Sequence, residues 1–494
     1  MEAAYPCGPE GDPTSSSLRG MPRSHDETFA KPTRRHLDRL AVEKQTSDRV
    51  PGLIAGVARE GRLRWHRAVG VADLGHPGLE PDPDTQYDIA SNTKTFVAVT
   101  IMALRDEGRL SLDDTVEMHI PTSTHPNVTI RELLAHVSGM QREPVTDVWD
   151  RLEFPDRVEL VDGWNTAERI LPPHSVHHYS NLGYAVLGEI IARLDGVDSW
   201  FESVQRRILR PLGMRRTSLG RTGLNQAGLY YVPPWTDVPV VEPVLDTGSF
   251  SAAGAMSSTL NDLATWGGFV ANPVAEVLSP DTLEEMCQPI VTADPDWVQA
   301  WGLGFILHRD LDAPGRVWVG HTGAHPGTIS GVFTHRPSAT TGIVLMNNTG
   351  ASAPAAFATG IGSYAVTHEP PAPTAWVPGT VVPDALAPLL GQWFSEGVEY
   401  VLTVREGRLN AQVRRAPASA PPSVFEEVGP DVYRTVSGRE RGELLRLRRN
   451  ATGEVVAFNW ATYIFTRQPY AFGEWLVDPA IVQGHIPPGS GAGG

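Results

Sequence analysis

Two short apolar runs, residues 53–58 and 63–71, flank the turn-like Arg59-Glu60-Gly61-Arg62 and predict a β-hairpin. Just before them, Leu37, Leu40 and Ala41 recur among charged residues between Thr33 and Ser47, the mark of an amphipathic helix. A Pro/Asp/Gly-rich loop over residues 75–86 follows. Phe96, Val99, Met102, Ala103 and Leu110 then recur at helical spacing, so a helix is expected from Ser91 to about Gly108. Residues 112–116 and 129–140 continue in helical register, the second ending on a glycine stop, and further helices are expected over 182–194 and 260–269. Strand-like apolar runs return at 302–307, 317–321, 330–335 and 341–348. Strands at both ends of the segment with helices between them predict an α/β fold, one sheet built from distant pieces around a helical insertion.

Beyond that segment the pattern changes. Residues 368–384 hold several prolines and few periodic apolar positions, as a linker does. Short alternating runs at 400–404, 409–413, 444–447 and 455–460 then predict a small all-β module, plausible as a barrel. The expected layout is a disordered leader over 1–30, a main domain over 31–367, a Pro-rich linker over 368–384, the β module over 385–480 and a flexible tail over 481–494.

Charge and composition narrow the function. A net charge of −16 argues against nucleic acid as a partner and disfavours an anionic membrane surface. No apolar run reaches the ~18 residues of a membrane span. Residues 1–10 show no basic segment leading into an apolar stretch, so a cytoplasmic address is expected rather than secretion. With only Cys7 and Cys287, a disulfide framework is not expected.

The candidate chemistry begins at Ser91-Asn92-Thr93-Lys94. A spacing of three places the serine hydroxyl and the lysine amine on one helical face, where the amine can take the hydroxyl proton. The same spacing also suits an N-cap serine beside a solvated lysine. Lysine usage bears on the choice: of 41 basic residues only Lys31, Lys44 and Lys94 are lysines. Arginine serves where charge is enough but cannot act as a base, so the one lysine after residue 44 suggests a position that needs a removable proton. Tyr179-Ser180-Asn181, ahead of the 182–194 helix, supplies a phenol that can relay a proton and an amide that can hold a carbonyl or fix the lysine. It reads equally as a core tyrosine beside an N-cap. Gly320-His321-Thr322-Gly323-Ala324 ends an apolar strand; a glycine there allows close backbone approach to a ligand, and the strand can offer an N–H to an oxyanion.

In this order the three motifs resemble those of the serine β-lactamase and penicillin-binding-protein superfamily, above all its class C-like branch of esterases, D-amino-acid peptidases and acyltransferases. Residues 130–140, 179–184, 210–214 and 253–258 add to the resemblance, which spans roughly 35–365. It implies an antiparallel sheet flanked by helices with an all-helical insertion. By that resemblance Ser91 is the nucleophile, Lys94 its base, Tyr179 the proton relay and Asn181 a substrate-orienting amide. His321 stands where many relatives carry lysine, near a substrate carboxylate or behind Tyr179. The backbone N–H groups of Ser91 and Ala324 would form the oxyanion hole, with Gly323 against the substrate. The β module resembles the lipocalin-like barrel appended to some members, and Arg467 near its end would reach the mouth of the site or form a surface salt bridge. The resemblance implies a serine hydrolase acting on an ester, amide or peptide through a Ser91 acyl-enzyme. Its alternatives are an acyltransferase or thioesterase passing the acyl group to an amine, with a carrier-bound substrate as partner, and a penicillin-binding sensor without turnover. No cofactor is implied. His174, His177 and His178 lack a spacing that would converge them on a metal, and none is expected.

Overall fold

The computed structural model describes residues 28–144, 148–370, 375–379, 381–417 and 420–482. Helix α1 (Lys31–Ser47) starts on a proline in its first turn and leads into β1 (Gly52–Arg59) and β2 (Arg62–Gly70). Both central residues of that hairpin, Glu60 and Gly61, lie in the left-handed region, the turn geometry that matches strand twist. The chain then builds α2 (Thr93–Asp106), α3 (Asn181–Asp195), α4 (Leu260–Ala271) and the short α5 (Pro280–Met286). It closes with β3 (Val291–Thr292), β4 (Gln299–Trp301), β5 (Ile306–Arg309), β6 (Val317–His325), β7 (Thr328–His335), β8 (Thr340–Met346) and α6 (Pro354–His368).

These strands form one antiparallel sheet in the order β2-β1-β8-β7-β6-β5-β4-β3. The N-terminal hairpin pairs with the last strand, Leu53 opposite Met346. Alternate residues of β1 take opposite faces. Leu53, Ala55 and Val57 join Trp318, Phe333 and Val344 in a core that also takes Leu37 of α1 and Ile361 of α6. Ile54, Val332, Ile343 and Leu345 face the other way, toward Val97, Ile190 and Leu263 of α2, α3 and α4. Cover on both faces explains why these strands read as nearly continuous apolar runs.

Several boundaries differ from the sequence reading. The stretch 129–140 is helical only over Ile130–Leu134; His136 and Gly139 enter the left-handed region and turn the chain back, and the apolar periodicity beyond residue 134 reflects burial without helix. Within 112–116 there is a turn, and the helix there is Val116–His119. The strand expected at 302–307 begins at Ile306, because Gly304 bends the backbone over α2, where an added Cβ would lie 2.2 Å from the Ala98 Cβ. Helices Arg157–Thr166 and α6 carry only a weak apolar stripe and Trp200–Val204 and α5 are too short to establish one, so the sequence pattern predicts none of the four.

The chain divides into two compact units at residue 372. The second is a closed barrel of eight antiparallel strands from Gly391–Ser395 to Tyr463–Thr466, shut by Phe394 pairing with Thr466. Trp393, Phe425, Leu445 and Phe458 fill its interior. The leader expected over 1–30 lies, up to residue 27, outside the described residues, as do residues 371–374 and 380 of the linker and the tail from 483 onward. Among the described residues no helix is long and apolar enough to cross a membrane.

Candidate active site

Ser91 does not open the α2 helix itself. It sits in a single 3-10 turn, Ala90–Asn92, which runs directly into α2. Ala90 is held at φ 47°, a conformation unfavourable for a side-chain-bearing residue. The turn is stapled in place: Ile89 N–H donates to Met256 O (2.9 Å), the Asn92 amide donates to Ser330 Oγ of β7 (2.9 Å), and Thr93 Oγ1 accepts from Met256 N–H (3.0 Å). Strain of this kind persists only where the surroundings over-determine it.

Lys94, one turn on, is fully buried. Its Nζ has three polar neighbours: Asn181 Oδ1 at 2.8 Å, the Ala253 carbonyl at 2.5 Å and Ser91 Oγ at 3.2 Å. A neutral amine has two N–H bonds and one lone pair. The two carbonyl oxygens can only accept and so take the two N–H bonds, which leaves the lone pair for the serine hydroxyl. Burial drives the amine well below the ordinary lysine value of 10.5; Glu143 pulls it back up and Arg142 pushes it further down.

Asn181, the first residue of α3, is anchored at both ends. Its Nδ2 donates to Glu143 Oε1 (2.6 Å), so its Oδ1 is turned to the lysine. Of the two roles that sequence allows an amide here, the geometry shows the one that fixes the lysine. Ser180 caps the helix by accepting from Gly183 N–H, which sets where Tyr179 and Asn181 leave the backbone.

The Tyr179 ring lies 4.8 Å from Lys94 Nζ and stacks on His136 at 4.2 Å. Burial raises its phenol above the ordinary value, with the neighbouring Ser91 hydroxyl pulling partly the other way. The amine is thus displaced toward its free base and the phenol toward its acid. Environments that push two groups apart in this way suit a base at Lys94 and a proton donor at Tyr179.

His321 lies behind this pair. It is 2% exposed, its Nδ1–H donates to the Thr322 carbonyl, and burial lowers its pKa to about 3. The ring centroid stands 6.2 Å from that of Tyr179, behind which it was one of two places expected for it. Gly323 follows two residues on in β6. The close approach it permits is to the protein's own chain, since an added Cβ would lie 2.1 Å from Ile89 O. Ser91 and Ala324 line one small cleft, with Asn181 and the aromatic side chains of Trp149, Phe154 and Phe250. Arg467 turns to carbonyls of its own barrel, Leu390, Gln392 and Pro388, with its guanidinium 3.9 Å over Trp393. Among the described residues it forms no salt bridge, the second contact expected from sequence.

Sequence reasoning missed Glu143, Arg142 and His136. Glu143 follows a loop with no periodicity, and nothing in its spacing marks it. His136 had a visible signal, a histidine inside an apolar segment, but its stacking on Tyr179 depends on the left-handed turn at residue 136. The three neighbouring histidines diverge: His174 meets Glu132, His177 stacks on Trp301, and the His178 N–H donates to the His136 carbonyl.

A family model described as Beta-lactamase matches residues 37–361, and a domain of unknown function (DUF7586) matches residues 382–467. The chain is 28% identical to Beta-lactamase-like protein 2 of Dictyostelium discoideum over 60% of this chain and 55% of that one. It is 31% identical to the unguisins hydrolase ungD' of Aspergillus campestris over 49% and 48%. The chain therefore spans about half the length of these curated relatives. Among solved structures, a D-stereospecific amidohydrolase from Streptomyces sp. superposes with a TM-score of 0.55 at 24% identity, over 67% of this chain and 97% of that one, a likeness of fold.

Proposed function

Because the chain belongs to the beta-lactamase family, we propose that it is a serine hydrolase that cleaves an amide or ester through an acyl-enzyme on Ser91. The observation that carries this reading is the contact set of Lys94, two acceptors and one hydroxyl around a buried amine. Lys94 takes the Ser91 proton as Oγ attacks the carbonyl carbon. The C–O bond forms, the carbonyl electrons move onto oxygen beside the Ser91 and Ala324 backbone, and Tyr179 protonates the departing amine or alkoxide. Water then attacks the acyl-enzyme and the proton returns along the same groups. The aromatic wall of Trp149, Phe154 and Phe250 favours an apolar acyl side chain. The name of the unguisins hydrolase favours hydrolysis, and that of the D-stereospecific amidohydrolase an amide, with D-stereochemistry as the finer expectation.

The test is labelling by a fluorophosphonate and turnover of p-nitrophenyl esters and D-amino-acid amides. Labelling at Ser91 and turnover lost in both Ser91→Ala and Lys94→Ala are expected. Folded protein that neither labels nor turns over would overturn the reading in favour of a binding protein. An amide formed when an amine is added would move it to acyl transfer.

A further inference from the structure

We propose that a second cleft in the first unit, between α5 and the outer strands β3–β6, binds an amphiphilic carboxylate with a medium-length linear apolar tail. The cleft has a volume of about 640 Å³, inside the ~300–1,000 Å³ range of small-molecule sites. Ala300, Leu307 and Val319 give it apolar walls, and Cys287 of the segment after α5 lies among them.

Two features of its lining go beyond a packing defect. Trp297 is 64% exposed and held at φ 57°. Its turn is fixed by Asp294, whose carboxylate accepts from the N–H groups of Asp296 (3.0 Å), Val298 (3.0 Å) and Gln299 (2.7 Å). The brace fixes a large indole at the rim of the apolar cleft, where it is free to cover a bound tail.

The second feature is charge. Arg336 in the lining is neutralised by Glu284 at 2.6 Å. His335 is held neutral, burial lowering it to about 4. Arg309 has a hydrogen bond to the Trp297 carbonyl at 3.5 Å and no carboxylate partner among the described residues. The unneutralised charge of the cleft is therefore one guanidinium, in a chain of net charge −16. A fork of N–H donors beside apolar walls is complementary to a carboxylate on a hydrocarbon tail. Nothing in this site depends on Ser91, which lines a different cleft.

The test is titration of the full chain with decanoate, decanol and butyrate, followed by calorimetry. Saturable decanoate binding is expected, unchanged in Ser91→Ala, weakened at least tenfold by Arg309→Gln, and abolished by Ala300→Trp, which fills the cleft. Decanol should bind more weakly than decanoate and be indifferent to Arg309→Gln. In the unsubstituted protein, decanoate should slow alkylation of Cys287 several-fold, a readout free of folding effects. The proposal is overturned if decanoate does not saturate, if its binding disappears in Ser91→Ala, or if Cys287 is alkylated at an unchanged rate. It is equally overturned if Ala300→Trp changes the oligomeric state of a protein that takes up no decanoate, since the cleft would then serve a protein contact.

Discussion

A buried lysine with two acceptors and one hydroxyl around it has a defined working state, and that state sets the pH behaviour. Activity should rise with pH as Lys94 loses its proton, with the midpoint of kcat/KM well below 10.5. Lys94→Arg should be inactive at every pH, because a guanidinium keeps its charge and its proton. Glu143 favours the charged amine, so Glu143→Gln should move the same limb to lower pH while leaving the plateau; a limb that stays or moves up would show that the carboxylate does not act on the lysine. The linkage also reaches stability. Between the lowered native value and 10.5 the unfolded lysine carries a proton that the native one lacks, so unfolding takes up a proton and stability rises with pH. The contribution is about 1.4 kcal/mol per pH unit across that window. Urea unfolding of wild type and Lys94→Met at several pH values should show this slope in the first and not in the second.

At the scale of elements, the site depends on β6 passing tightly behind the nucleophile turn. Gly323→Ala would place a methyl group 2.1 Å from Ile89 O and 2.5 Å from Ser330 Oγ. Ile89 cannot retreat, since its N–H is held by Met256. We expect a stability loss of about 1–3 kcal/mol, as for other overpacked sites. Loss of an oxyanion donor is expected to slow acylation by ~10²–10³. Unfolding midpoints and pre-steady-state bursts measure the two. Ala90→Gly, which relieves the strain at φ 47°, should keep both near wild type.

This dependence on close backbone approach also explains what could be read in advance. The Ser91–Lys94 pair was legible because a three-residue spacing is a local property, and the long strands β1, β6, β7 and β8 because both of their faces are apolar. Glu143 was not legible, since it reaches Asn181 through a loop whose path only the fold determines. Gly323 was legible as a glycine that matters but not for its reason, because the carbonyl it avoids comes from more than 200 residues earlier. The 129–140 segment misled because burial and helicity produce the same apolar spacing when a left-handed residue interrupts the helix.

For the whole molecule, the relevant fact is that the two units have separate hydrophobic interiors. The barrel core gathers around Trp393, Phe425, Leu445 and Phe458, and all of its members come from residues 386–465. Closure of the barrel leaves no open strand edge among the described residues of that unit. Each unit thus has the internal contacts that a cooperative transition needs. Trp393 is fully buried, donates its indole N–H to Leu389 O (2.7 Å), and carries Arg467 over its ring. Trp393→Ala should therefore cost the barrel about 3–5 kcal/mol, the usual range for deleting a buried aromatic. Calorimetry should resolve two transitions in the wild type, and this substitution should lower one of them. Fluorophosphonate labelling of Ser91 should survive heating through the lowered transition, because Ser91, Asn181 and Ala253, which hold Lys94, all belong to the first unit. Labelling that disappears together with the barrel would mean that the second unit holds the first in its active form. Arg467→Ala would then separate a barrel contribution made through the Trp393 stack from one made through the barrel as a body.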